Sequence, residues 1–525
     1  MKLKSRYIIY LLLVAFSLGL WYIWKSGNKN SAGIGKQPVS KSHNLQKGQL
    51  LFNDYCASCH LLPEPKHLTK RVWQNQVLPV MAIKMGLVND TYDRKISGEE
   101  LLIEKANHLI PDKPMIGSED FEAITSFIIN QAPDSVAIDP SRINRNSGLK
   151  NFMRKDVPLG VQGPSVITSL AYDEKAKTLW IGNLNKQVFT WKYKEGIINQ
   201  MNVGSPVSHF SFYKGSAFLT EIGDLLPSEL SRGAFSATNA TSEAPLITSL
   251  HRPVFSVLED FDASGLPEVL ICNFGKNTGS LSLYKKENNA TPFVEQVLLP
   301  MPGAIKCFVR DMDGDGLKDI VTLMAQGDES VYILFNRGGF KFEAKRVLRF
   351  PPDYGTTDIV LTDFNHDGKV DIITAHGDNA DYSNIPKAYH GIRIHMNSGS
   401  NEFAEKFFYP VYGVTKVLAE DFDKDGDIDL AASSFYAEYS QLKEEAFIYL
   451  ENISSEKYSF KSYVHHSEVP VKSLTIETAD IDNDGDTDIL LGNFAFSPVS
   501  LPDDLKAKWE SANYGLIIFE NQLYH

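Results

Sequence analysis

Residues 311–319 read DMDGDGLKD, and this stretch decides the fold because it recurs. Its pattern, Asp311-x-Asp313-x-Asp315-Gly316-x-x-Asp319, returns as Asp363-x-Asn365-x-Asp367-Gly368-x-x-Asp371. It returns twice more, as Asp421-x-Asp423-x-Asp425-Gly426-x-x-Asp429 and as Asp480-x-Asp482-x-Asp484-Gly485-x-x-Asp488. A degenerate copy stands at Asp260-x-Asp262-x-Ser264-Gly265-x-x-Glu268. The copies start 51, 52, 58 and 59 residues apart, a period that suits a four-stranded blade. Strand-like runs flank the loops: VLTDF and VDIITA around the 363 copy, VLAEDF and IDLAASS around the 421 copy.

Working outward, SLAYDEKAKTLWIGNLNKQVFTWKY (169–193) and HFSFYKGSAFLTEIG (209–223) carry blade-like alternation without the acidic loop. First turns near 173, 213, 260, 311, 363, 421 and 480 then predict seven blades. The last blade offers three strands of its own, in KSLTIETAD, TDILLGNFA and GLIIFENQ. An unpaired outer edge is a liability, so LKNFMRKDV (149–157) is the expected donor of the fourth strand.

Each acidic loop reads as a calcium site. Side-chain oxygens at positions 1, 3, 5 and 9 can converge on one hard cation, the glycine at 6 permits a sharp turn, and a backbone carbonyl at 7 adds a ligand. An EF-hand is excluded, since it needs a glutamate at position 12 and flanking helices. The alternative is that these carboxylates only decorate turns. Four calcium ions would offset much of the formal net charge of −13. That acidity argues against a nucleic-acid partner. The four full copies resemble FG-GAP (VCBS) repeats, the blade units of integrin α-chain propellers, which implies a β-propeller with calcium in its loops.

A second motif lies upstream. Cys56, Cys59 and His60 spell CASCH, the attachment signature of haem c. Two thiols one turn apart reach two vinyl groups, and the next residue becomes the proximal iron ligand. A zinc knuckle would need a second ligand pair, and only His67 is near. A thioredoxin-like pair would follow a strand, whereas LQKGQLLFNDYCASCH (45–60) has helical periodicity. Met81 and Met115 are the candidate sixth ligands. The G-x-x-x-F spacing of Gly48 and Phe52 resembles the first helix of class I cytochromes c. Residues 55–86 and 118–133 resemble the haem domain of bacterial cytochrome/FG-GAP fusions, which implies Met81, in the Leu-Pro-x-Met segment, as the ligand.

Lys2, Lys4 and Arg6 precede an 18-residue uncharged run, Tyr7–Trp24. As a helix it would span about 27 Å, enough for a bilayer core. It reads as an uncleaved inner-membrane anchor with the rest of the chain in the periplasm, a cleavable signal peptide being the alternative. Cys272 and Cys307 sit in apolar strand-like runs and read as buried thiols rather than a disulfide.

The expected fold class is therefore multidomain. It comprises an anchor (1–24), a linker (25–43), a small all-α cytochrome c domain (44–134), a second linker (135–147) and an all-β seven-bladed propeller (148–525). The expected function is haem c electron transfer with an unidentified redox partner protein or small-molecule substrate. Two alternatives stay open: a propeller oxidoreductase that passes electrons to the haem, and a carbohydrate- or protein-binding propeller with an accessory haem. Whether the chain is an enzyme is left open. The ligand face is expected opposite the acidic loops. There Asp378, Asn379, Asp381, Tyr382, Tyr389 and His390 form the densest polar-aromatic cluster.

Overall fold

The computed structural model describes residues 41–87, 97–139, 148–161, 163–238, 244–379, 385–499 and 501–524. The strands Glu268–Asn273, Asp319–Met324, Asp371–His376, Asp429–Ser433 and Asp488–Asn493 are buried at every residue. A strand buried on both faces must lie between two packed layers, and here the layers are neighbouring blades. Seven four-stranded antiparallel sheets follow one another along the chain, each with its strands in sequence order except the last. In blade 7 the order is Phe152–Val157, Leu516–Asn521, Asp488–Asn493, Ser473–Ala479. Apolar side chains fill the gaps between blades. Ile373 and Ile394 of blade 5 pack with Leu430 and Ile448 of blade 6, and Leu490 and Ile518 of blade 7 pack with Leu170 and Phe189 of blade 1.

The early strand closes the ring, as expected. Phe152 pairs with Asn521 and Val157 with Leu516. Lys155 pairs with Glu520, which also accepts the Tyr193 hydroxyl of blade 1 at 2.8 Å. The closing strand is thereby tied to the first blade as well as the last.

Among the described residues five α-helical segments, Lys41–Leu51, Lys70–Val72, Leu78–Lys84, Gly98–Ala106 and Ser118–Gln131, precede the propeller, with π-helical turns at Phe52–Cys56 and Trp73–Val77. Gly48 lets the first of them approach the last: a Cβ there would lie 2.2 Å from the Ala123 carbonyl oxygen. Phe52, Trp73, Ile124 and Phe127 form their buried contact.

The expectation of a separate small all-α cytochrome c domain is corrected. The helices are few and short, and their apolar cluster takes in Ile385 from a loop of blade 5. Lys84 Nζ donates to Asn277 at 2.7 Å, Glu229 N to Glu100 at 3.2 Å, and His67 Nδ1 to Asp353 at 2.6 Å. The helices use the propeller as part of their packing surface. Their 3.6-residue periodicity shows that one face is covered, but not by what. The expected membrane helix over 7–24 lies outside the described residues. Among the described residues no helix is long and apolar enough to cross a membrane. The described chain is a seven-bladed β-propeller with short helices docked on it.

Replacing Gly48 with Val should force the first and last helices apart. Limited proteolysis should then cut within 41–131 sooner, while strand content by circular dichroism stays unchanged. Unaltered cleavage would show that this close approach is not required.

Candidate functional site

Each acidic loop joins the first strand of a blade to the second. The position-6 glycines adopt left-handed φ values of 84° (Gly316 and Gly368), 99° (Gly426) and 100° (Gly485), which only glycine adopts without strain. The position-1 carboxylates fold their own loops. Asp311 accepts from Gly314 N at 2.7 Å and Gly316 N at 2.9 Å, and Asp363 from Asp367 N at 3.0 Å and Gly368 N at 2.8 Å. Asn365 accepts from Asp367 N at 3.2 Å.

Carboxylate oxygens converge within 4.8 Å in four groups: Asp311/Asp313/Asp315, Asp421/Asp423/Asp425, Asp480/Asp482/Asp488 and Asp260/Asp262/Glu268. Asp421 Oδ1 and Asp486 Oδ1 are buried with no hydrogen-bond partner. A buried anionic oxygen without a donor is costly, and an all-oxygen set of this kind suits calcium. Asp484 takes part in the 480 loop, where its Oδ1 accepts from Asp486 N at 3.1 Å.

The position-9 aspartates do something the sequence reading did not foresee. Asp319 accepts Met312 N at 2.8 Å and Asn336 N at 2.7 Å. Asp371 accepts Phe364 N at 3.0 Å and Asn397 N at 2.8 Å. Asp429 takes Phe422 N at 3.2 Å and Asn452 N at 2.7 Å, and Asp488 takes Ile481 N at 2.9 Å and Asn521 N at 2.8 Å. In return, the asparagine side chains donate to the carbonyls of Lys318, Val370, Ile428 and Thr487. Each aspartate thus clasps the acidic loop to the end of the third strand. The signal was present as an asparagine closing ILFN, IHMN, YLEN and IFEN, at spacings of 17, 26, 23 and 33 residues too irregular to read as a motif.

With loops and clasps in view, the relationship can be stated. Residues 311–374 match the FG-GAP-like repeat family. They span the 311 loop and its clasp, then the first strand and the 363 loop of the next blade. Comparison with curated proteins finds no match. Solved structures of similar shape include the mitotic checkpoint complex, at 10% identity and TM-score 0.35, covering 57% of this chain and 77% of that one. The Pan2 WD40 domain of Neurospora crassa is similar at 12% identity and TM-score 0.41, covering 66% and 95%. The RRP9 WD40 repeats follow at 9% and 0.41, covering 70% and 96%. Similarities this low carry no functional argument.

The CASCH motif follows the first helix through its π-helical turn. Such turns frequently mark functional sites. Cys56 is half-buried and Cys59 exposed, and both are free thiols. Burial pushes the Cys56 thiol up to about 11, with Cys59 adding to the effect. His60 Nδ1 donates to the Leu61 carbonyl at 2.8 Å, so in the neutral ring the lone pair lies on Nε2. Met81 is half-buried on the helix Leu78–Lys84, and Met115 is 46% exposed. Two thiols and one oriented imidazole at C-x-x-C-H spacing suit haem c. Cys272 and Cys307 are buried free thiols.

The face opposite the acidic loops is not open ground above blade 5. His67 packs against Tyr389 at 4.3 Å with the rings tilted by 33°, and Tyr389 stacks on Tyr354 at 5.4 Å and 19°. Asp378 is half-buried, Asn379 is 5% exposed and His390 is fully buried. Burial, with Asp353 adding, pushes the Tyr389 hydroxyl well up. Asp381 and Tyr382 lie outside the described residues. The 493–515 connection forms the helix Asp503–Ser511, whose Trp509 packs on Tyr439 at 4.9 Å. Lys472 Nζ lies beneath them, 3.5 Å from the Phe435 ring centroid, and burial pushes it down to about 7. These loops pack on one another and on the helices.

Asn452→Ala removes the side-chain arm of one clasp, and unfolding titration should show a loss of about 1–3 kcal/mol; an unchanged midpoint would make the clasp dispensable. Burial and neighbouring carboxylates raise Asp429 and Asp488 to about 7. Protonating them therefore stabilises the cation-free fold, fully below the ordinary carboxylate range and less as pH rises through about 7. Cation-free protein should melt lower at pH 8 than at pH 6, and calcium should narrow the gap. Equal melting temperatures would contradict this.

Proposed function

We propose that the chain is a calcium-stabilised β-propeller that carries a covalent haem c on its docked helices and transfers single electrons. The observation that carries this reading is the Cys56/Cys59/His60 set, with the His60 ring fixed by Leu61 so that Nε2 is available to iron. When bound, haem c supplies a one-electron Fe(III)/Fe(II) couple. Cys56 and Cys59 would hold it as thioethers and His60 as proximal ligand. Met81 is the proposed sixth ligand, being half-buried where Met115 is exposed. The electron donor or acceptor is a redox partner protein or a small-molecule substrate. Calcium is proposed in the acidic loops, where orphaned buried oxygens support it.

A second reading, a binding propeller, is supported by the FG-GAP-like repeat itself. Purified protein separates the two. Denaturing electrophoresis followed by haem peroxidase staining should give a coloured band, lost in the Cys56→Ala/Cys59→Ala variant. A colourless wild-type band, with glycan or protein capture intact, would leave binding as the function.

A further inference from the structure

Each clasp asparagine is followed by a residue that leaves the third strand beside the acidic loop: Arg337, Ser398, Ile453 and Gln522. Arg337 alone is charged, and it turns into its loop. Its Nη1 lies 2.9 Å from Asp313 Oδ2 and 3.7 Å from Asp315 Oδ2, and its Nε 3.1 Å from Glu343. The 363 loop holds a cation of its own. Lys369 Nζ lies 2.8 Å from Asp367 Oδ2. At that loop position the 311 copy has Leu317, while the 421 and 480 copies have Asp427 and Asp486. Asp427 accepts the Ser455 hydroxyl at 2.6 Å. Asp486 is 1% exposed, with one oxygen accepting Leu523 N at 3.1 Å and the other without a partner. In the 421 loop the buried Asp421 Oδ1 is also without a partner. One backbone geometry therefore carries two opposite charge arrangements.

We propose that the four acidic loops form two affinity classes: the 421 and 480 loops are tight calcium sites, and Arg337 and Lys369 are resident cations that weaken calcium binding in the 311 and 363 loops. This rests on the calcium reading above. A guanidinium or ammonium within 4 Å of a ligand carboxylate repels an incoming divalent ion and must be displaced by it. Glu343 gives the departing Arg337 a second partner. Among the described residues no side-chain cation is ion-paired to the carboxylates of the 421 and 480 loops, and an orphaned buried oxygen in each gains a ligand.

The test is calcium titration by calorimetry on the calcium-depleted full chain. Arg337→Ser and Lys369→Leu substitute the residues found at equivalent places in blades 5 and 4. Among the four full loops, in an Asp260→Asn background that removes the degenerate 260 loop from the count, two ions should bind tightly and two at least about tenfold more weakly. The double variant should tighten the weak class by about tenfold or more and leave the tight class unmoved. Asp486→Asn should weaken one tight ion only, and a melting curve of each calcium-free variant checks that it folds. Four equivalent sites in the Asp260→Asn background, or a weak class unmoved by the double substitution, would overturn the proposal while leaving calcium binding intact. No calcium uptake by any of the proteins would remove both.

Discussion

Asp429 gives one oxygen to the start of its own acidic loop and the other to the end of the third strand, and Asp319, Asp371 and Asp488 do the same in their blades. A carboxylate that accepts two backbone amides is held in one place. It fixes where the loop begins relative to the sheet, and so where the carboxylates at positions 1, 3 and 5 point. The apolar second strand can then be buried on both faces because its polar head is already satisfied. Loop, clasp and inter-blade core are one construction repeated around the ring.

The same construction explains the acidity of the chain. Carboxylate oxygens gathered this closely repel one another, and burial makes the repulsion worse. The fold tolerates this because the clasps draw stability from backbone hydrogen bonds that need no metal. Under the calcium proposal, the clasps place the loop carboxylates before an ion arrives.

The ring was legible in the sequence because a fixed register of Asp and Gly marks each turn, and because the lone missing strand pointed to LKNFMRKDV. The clasp asparagines were not legible, since the third strand lies at a different distance from the loop in each blade. The docked helices were misread for a related reason. Gly48, Phe52 and Phe127 announce a helix pair, but nothing in a linear pattern says that His67 will meet Asp353 and Tyr389, 286 and 322 positions downstream in the chain. The polar-aromatic cluster at 376–391 had the composition of a binding loop. Part of that composition serves the chain's own helices.

The closing strand has a consequence for how the molecule comes into being. Lys155 and Glu520, which face each other across the seam of the ring, are 365 residues apart in sequence. During synthesis the strand 152–157 emerges early and stays without its partner until the final strand has been made. Long-range pairings of this kind form late and slowly. The nascent chain therefore carries an open sheet edge through most of its production. Charges at Arg154, Lys155 and Asp156 sit on that edge, where they discourage pairing with another chain in the interval.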